Sequence, residues 1–236
     1  MHHTIGWIVF HIIVFVLLIL DLGIFNKKAH KISVREAVIT SAIWIGIAFI
    51  FNIGIYIFNG EDQALKFFTG YIIEKSLSVD NLFVIILIFK TFDVPDEYQH
   101  KILFWGIFGA IIMRGAMIIL GVTLVEKFHW IFYIFGLFLV YSAVKMALKK
   151  DDDEIDVENN RLVRFIKRFY PVTKDHQNGK FFVRIDDKRH VTTLLLALSV
   201  IEVTDLVFAL DSIPAIFAIT TDPFIVYTSN IFAILG

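Results

Sequence analysis

The sequence predicts an all-α fold, a polytopic transmembrane helix bundle with an internal repeat, and three observations predict it. Hydrophobic residues make up 57% of the 236-residue chain, and mean hydropathy is +0.73. The apolar residues gather in blocks of about twenty, the length that spans a bilayer core as a helix. Two of those blocks carry the same acidic device. A soluble domain of this size has too much surface to clothe with 19% charged residues.

By the length rule six complete spans cover 5–25, 37–58, 67–89, 102–125, 128–148 and 191–219. A seventh opens near Phe224 and reaches "NIFAILG" without a polar or basic flank, so C-terminal helices are expected to be missing. The N-terminus "MHHTIGWIVF" has no charged n-region and no small-residue cleavage site, which makes 5–25 a retained span. Helices 1 to 5 therefore occupy 1–148, a loop fills 149–190, and 191–236 holds helix 6 and the start of helix 7.

Orientation follows from the loops. Lys27, Lys28, Lys31 and Arg35 follow the first span, and 149–190 is rich in Lys and Arg, whereas 59–66, 126–129 and 220–223 are poor in them. The positive-inside rule puts the N-terminus outside and 149–190 in the cytoplasm. Within that loop "KKDDDEIDVENN" reads as a flexible spacer. "RLVRFIKRFYPV" reads either as a short interfacial amphipathic helix or as a solvated loop, and "NGKFFVRIDDKRH" as a small hairpin.

A net charge of −1 suggests no acidic or basic macromolecular partner, nucleic acid included. The absence of Cys excludes disulfides, thiolate metal sites and cysteine nucleophiles. No GxxxxGK[ST] loop is present, which argues against ATP-driven transport by this chain.

Two spans carry acids where the solvent is hydrocarbon. The first motif, 74–84, holds Glu74, Asp80 and Asn81; the second, 202–217, holds Glu202, Asp205 and Asp211. A carboxylate at the bilayer centre costs roughly 2.5–3.5 kcal/mol, so five cost on the order of 12–18 kcal/mol uncompensated. The buried bases available are Lys75 and Arg114, while Lys145 lies near a helix end where it snorkels. The resulting excess of negative charge calls for protons or a bound cation.

Aligning "SLSVDN" with "VFALDS" superposes Glu74 on Asp205 and Asp80 on Asp211. A polar device repeated in two spans is what internally duplicated transporters show, with the site at the repeat interface. The ligands are carboxylates, an amide and a hydroxyl, with a carbonyl of Leu210 freed by Pro214 as a further candidate. Such oxygen-only sets suit Mg, Ca or Mn and do not choose among them. Elsewhere the ordinary readings hold: His11 is a packed or interfacial histidine rather than a ligand, Trp7, Trp105 and Trp130 are interfacial anchors, and "FHWIFYIFGLF" is lipid-facing or packing surface.

"EKSLSVDNLFV" and "EVTDLVFALDSIPAIFA" resemble the two signature segments of the TerC family of integral membrane proteins. The likeness continues through "GAIIMRGAMII", "WIFYIFG", "VKMAL" and "TTDPFIVYTSNIFAILG". The resemblance implies a multi-pass protein of the bacterial inner (cytoplasmic) membrane, associated with manganese export and tellurium resistance. It also implies a metal site on Glu74, Asp80, Glu202, Asp205 and Asp211, with Asn81 beside them.

The leading expectation is therefore a non-enzymatic exporter of Mn²⁺, binding the ion between helices 3 and 6 and holding no prosthetic group. Its partners are the lipid bilayer and the divalent ion, and oligomeric state stays open. The alternative is a non-transporting membrane scaffold or assembly factor, in which the acids pair with Lys75 and Arg114 for packing. An intramembrane aspartyl protease using Asp80 and Asp211 fits the neighbouring Asn and Ser less well. A guanidinium deep in the membrane must be paired or hydrated, so Arg114 is expected to hold one of the motif acids.

Overall fold

Each apolar block of the sequence becomes a helix in the computed structural model, which describes residues 2–20, 33–148, 161–174, 176 and 178–236. In chain order these are α1 (His2–Leu20), α2 (Val34–Asn59), α3 (Glu61–Thr91), α4 (Asp96–Lys127), α5 (Ile131–Leu148), α6 (Arg161–Phe169), α7 (Thr193–Phe217) and α8 (Pro223–Leu235). Helices 3 and 6 of the sequence reading are thus α3 and α7. The spacer segment 149–160 lies outside the described residues.

Several helices outrun their apolar blocks because polar flanks continue them. α4 opens on Asp96 and Glu97 and closes on Lys127, charges that complement the helix dipole at each end. α2 starts from a capping box: Ser33 Oγ accepts from the Glu36 amide at 3.2 Å, and Glu36 accepts from the Ser33 amide at 3.4 Å. α8 starts on Pro223 with Asp222 accepting from the amides of Phe224 (2.9 Å) and Ile225 (3.3 Å).

By length and composition α2, α4 and α7 are each able to cross a membrane; α1, α5 and α8 are apolar but shorter over their described residues. α3 is 31 residues long and carries Glu74, Lys75 and Asp80 in its middle. α8 is the central helix, buried along nearly its whole length. α5 lies at the edge, with Tyr133 83% and Leu137 72% exposed, as a lipid-facing helix requires. His11 is a packed histidine, stacked between Trp7 and Tyr227 at 5.8 and 5.6 Å.

Two apolar clusters fix the helix directions. Ala64 and Phe67 near the start of α3 share one cluster with Ile213, Ile216 and Phe217 near the end of α7. Ile88, Phe89 and Phe92 at the end of α3 share the other with Leu194 and Ala197 at the start of α7 and Ile102 of α4. α3 and α7 therefore run antiparallel, and α4 runs parallel to α7.

The expected hairpin is present and belongs to a larger unit. β2 (Phe182–Ile185) and β3 (Lys188–Thr192) pair antiparallel, and β1 (Val172–Thr173) adds to β3 in parallel, giving the order β1-β3-β2. The turn residues Asp186 and Asp187 both have positive φ (47° and 58°), the left-handed pair that a two-residue hairpin loop requires. Lys101 Nζ donates to the Gly179 carbonyl at 2.8 Å and ties this sheet to α4.

Candidate functional site

The middle of the bundle is organised around Arg114 of α4, which is fully buried. Its Nε and Nη2 donate to the two carboxylate oxygens of Asp205 on α7 at 3.0 and 2.7 Å. Its Nη1 donates to Glu74 Oε1 on α3 and, at 2.8 Å, to Asn230 Oδ1 on α8. One planar guanidinium thus joins three other helices, a use that its fixed fork of five N–H donors allows. The sequence expectation that Arg114 holds a motif acid is met, by two acids rather than one.

Glu202 completes the cluster. It lies one turn before Asp205 on the same helix, and its carboxylate rests against Gly109 of α4, where a Cβ would overlap it. Only glycine lets that carboxylate lie so close to the α4 backbone. Gly70 of α3 plays a similar part toward α8, where an added Cβ would come within 2.9 Å of Ser229 Oγ. Glu74, Glu202 and Asp205 give the centre three carboxylates against one guanidinium. Glu74 Oε2 and Glu202 Oε2 are buried and accept no hydrogen bond from the described residues.

The remaining motif residues lie elsewhere. Asn81 and Asp205 both line a cavity of about 60 Å³ with Ala110, Thr204 and Ile234. Asp80 is on an exposed face of α3. Asp211 is half-buried and accepts from Ser142 Oγ of α5 at 2.8 Å. The reason is directional. Six residues of helix advance about 9 Å, so on antiparallel helices Asp80 and Asp211 leave the meeting point of Glu74 and Asp205 toward opposite ends. The six candidate ligands do not form one cluster, and no group of three or more His, Asp or Glu placed to hold a metal ion occurs among the described residues. The same geometry keeps Asp80 and Asp211 from facing each other as a protease pair.

Lys75 does not join the acids either. One residue turns a helix by about 100°, and its Nζ points instead to the Ala233 carbonyl in the last turn of α8, at 3.4 Å. There a cation complements the helix C-terminus. α7 runs unbroken through Pro214. Sequence reasoning missed Asn230 and Gly109; the one available signal for Asn230 was an amide inside the otherwise apolar "NIFAIL". A second recess, of about 200 Å³, is lined by Glu36, Thr40, Ser41 and His100, and shares Leu103 and Ile107 with the central cavity.

Residues 59–236 match the model of the integral membrane protein TerC family. The chain belongs to the TerC family. It is 46% identical to "Uncharacterized membrane protein STKORF319" of Myxococcus xanthus, over 98% of this chain and 72% of that one. It is 45% identical to an "Uncharacterized membrane protein" of Rickettsia bellii, over 98% and 76%. It is 42% identical to "Putative membrane-bound redox modulator Alx" of Escherichia coli, over 98% and 74%. No solved structure matches the chain. Membership makes this TerC-family chain an integral membrane protein, and Arg114, Glu202 and Asp205 stand on α4 and α7, two of the helices long and apolar enough to cross a membrane.

Proposed function

We propose that this TerC-family chain is a non-enzymatic carrier that exports a hard divalent cation, Mn²⁺ foremost, through the carboxylates between α3 and α7. One observation carries the reading: two carboxylates, Glu74 and Asp205, close on a single buried guanidinium, and a third, Glu202, lies one turn from Asp205 against Gly109. Two carboxylate oxygens there, Glu74 Oε2 and Glu202 Oε2, accept no hydrogen bond from the described residues. Buried carboxylates in that excess are offset by protons or by a cation, and the carrier reading takes the cation. The donors are all oxygen, which suits Mn, Mg or Ca, and the association with manganese that the family resemblance implies favours Mn.

In this reading Arg114 serves as the tethered cation of the empty site. An arriving Mn²⁺ takes Asp205 and Glu74 from it, with Asn81 and Glu202 as further ligands, and Asp80 and Asp211 as acids along the way to either side. The N-terminus faces outward and the 161–192 unit faces the cytoplasm, on the Lys/Arg bias of the loops. The recess with Glu36 and His100 then opens toward the cytoplasm, and Leu103 and Ile107 wall it from the cavity at Asp205.

The E. coli relative is named for redox modulation. This chain has no Cys, so a redox role would act through what the protein moves or binds rather than through its own thiols. The scaffold reading has one observation in its favour, the four hydrogen bonds that already hold Arg114. Purified protein in sealed vesicles separates the two. Accumulation of Mn²⁺ above protein-free vesicles, abolished by Glu74→Gln and by Asp205→Asn, is the expected result. Vesicles that take up no more Mn²⁺ than the protein-free control overturn the carrier.

A further inference from the structure

α6 presents an apolar and basic face that the helix bundle leaves uncovered. On a wheel of about 100° per residue, Leu162, Val163, Phe165, Ile166 and Phe169 fill one arc and Arg164, Lys167 and Arg168 fill the opposite one. The apolar arc is split in two. Val163 is fully buried, and Ile166 packs beside it, in the cluster with Leu194 and Ala197 of α7 and Phe89 and Phe92 of α3. Phe165 and Phe169 stay 61% and 62% exposed, with ring centroids 4.9 Å apart. Arg164, Lys167 and Arg168 are exposed as well, and Tyr170 just beyond them is 43% exposed.

The level at which α6 sits says what covers this face. Its buried side rests on the first turns of α7, a helix long and apolar enough to cross a membrane, in the apolar cluster that also holds Phe89 at the end of α3. α6 therefore lies across their ends, in the interfacial layer of the bilayer. Aromatic side chains concentrate at that depth, and basic side chains beside them meet anionic headgroups.

We propose that α6 is a lipid-binding element: Phe165 and Phe169 enter the bilayer interface beside the bundle, and Arg164, Lys167 and Arg168 hold anionic phospholipid headgroups. The bound element clamps the ends of α3 and α7, the two helices that carry the acidic motifs. The inference rests on the family's membrane placement and stands whether or not the chain transports an ion.

The chain has no Cys, so Phe165→Cys gives a single labelling site, with Lys188→Cys at the exposed tip of the hairpin as control. Both positions are exposed, and substitution leaves the core intact. Each protein is labelled with an environment-sensitive fluorophore and reconstituted in phosphatidylglycerol vesicles or in phosphatidylcholine vesicles, with a headgroup-level spin-labelled lipid as quencher. In phosphatidylglycerol the Phe165→Cys label should be quenched about threefold or more relative to the control. Phosphatidylcholine, or Arg164→Gln/Lys167→Gln/Arg168→Gln in phosphatidylglycerol, should remove at least half of that difference. Equal quenching at both positions overturns the proposal. So does strong quenching that ignores both lipid charge and the triple substitution, because recognition would then be apolar only. A blue-shifted label that lipid does not quench also overturns it, since a protein surface then covers Phe165.

Discussion

Arg114 closes on Asp205 as a fork, with Nε and Nη2 at 3.0 and 2.7 Å from the two carboxylate oxygens. The same guanidinium reaches Glu74 and Asn230 through Nη1 alone. Two-point pairing of this kind is specific to arginine, since a lysine ammonium is a point charge without the planar pair of donors.

Arg114→Met should destabilise the folded protein by roughly 3–5 kcal/mol, because the buried Glu74 and the half-buried Asp205 lose their partner. Detergent-solubilised yield and thermal unfolding report it. Adding Asp205→Asn should recover much of the loss, and adding Asp80→Asn should recover none. Equal recovery from both would mean that Arg114 is not paired as described. Arg114→Lys should fall between wild type and Arg114→Met.

Gly109→Ala should act through Glu202. The new methyl occupies the place of that carboxylate, and over-packing of this kind costs typically 1–3 kcal/mol. Combining it with Glu202→Ala should restore thermal stability while leaving Mn²⁺ uptake in vesicles at least tenfold below wild type. Uptake that recovers together with stability would remove Glu202 from the ion path.

Ser142→Ala takes one hydrogen bond from Asp211. A single such bond to a charged group is worth about 1.5–3 kcal/mol, and the half-exposed position reduces that. The expected drop is about 1 kcal/mol in thermal unfolding. A drop above about 3 kcal/mol would mean that Asp211 has no access to water.

Orientation is testable on the Cys-free background. Asp62→Cys, at the 74%-exposed start of α3, should react with an impermeant maleimide in intact cells. Lys188→Cys should react only after permeabilisation. The reverse pattern would invert the proposed topology.

The helices were legible because a bilayer imposes length and composition together, and over the described residues each apolar block holds a helix, with 21–25 of the first block outside those residues and Val191 and Thr192 of the sixth in β3. The pairing of Arg114 with a motif acid was legible too, from the cost of an isolated charge in hydrocarbon. The arrangement of the acids was not. Superposing "SLSVDN" on "VFALDS" pairs the residues by spacing alone, and the antiparallel packing of α3 on α7 carries Asp80 and Asp211 away from each other. Asn230 escaped notice because a lone amide in an apolar run carries no spacing signal. Gly109 escaped for a different reason: its role is defined only by the helix that packs over it.

Arg114 stands on α4, outside both acidic motifs, and it treats their two leading acids unequally: two bonds to Asp205, one to Glu74. The near-equivalence of the motifs therefore stops at the guanidinium. Anything that competes for these carboxylates meets a graded resistance. On the carrier reading, Glu74, held at one point and with Oε2 unclaimed by donors among the described residues, should let go first and Asp205 last. A carrier site of this build would load and empty in a set order, and exchanging Glu74 for Asp with Asp205 for Glu should reverse which helix is released first.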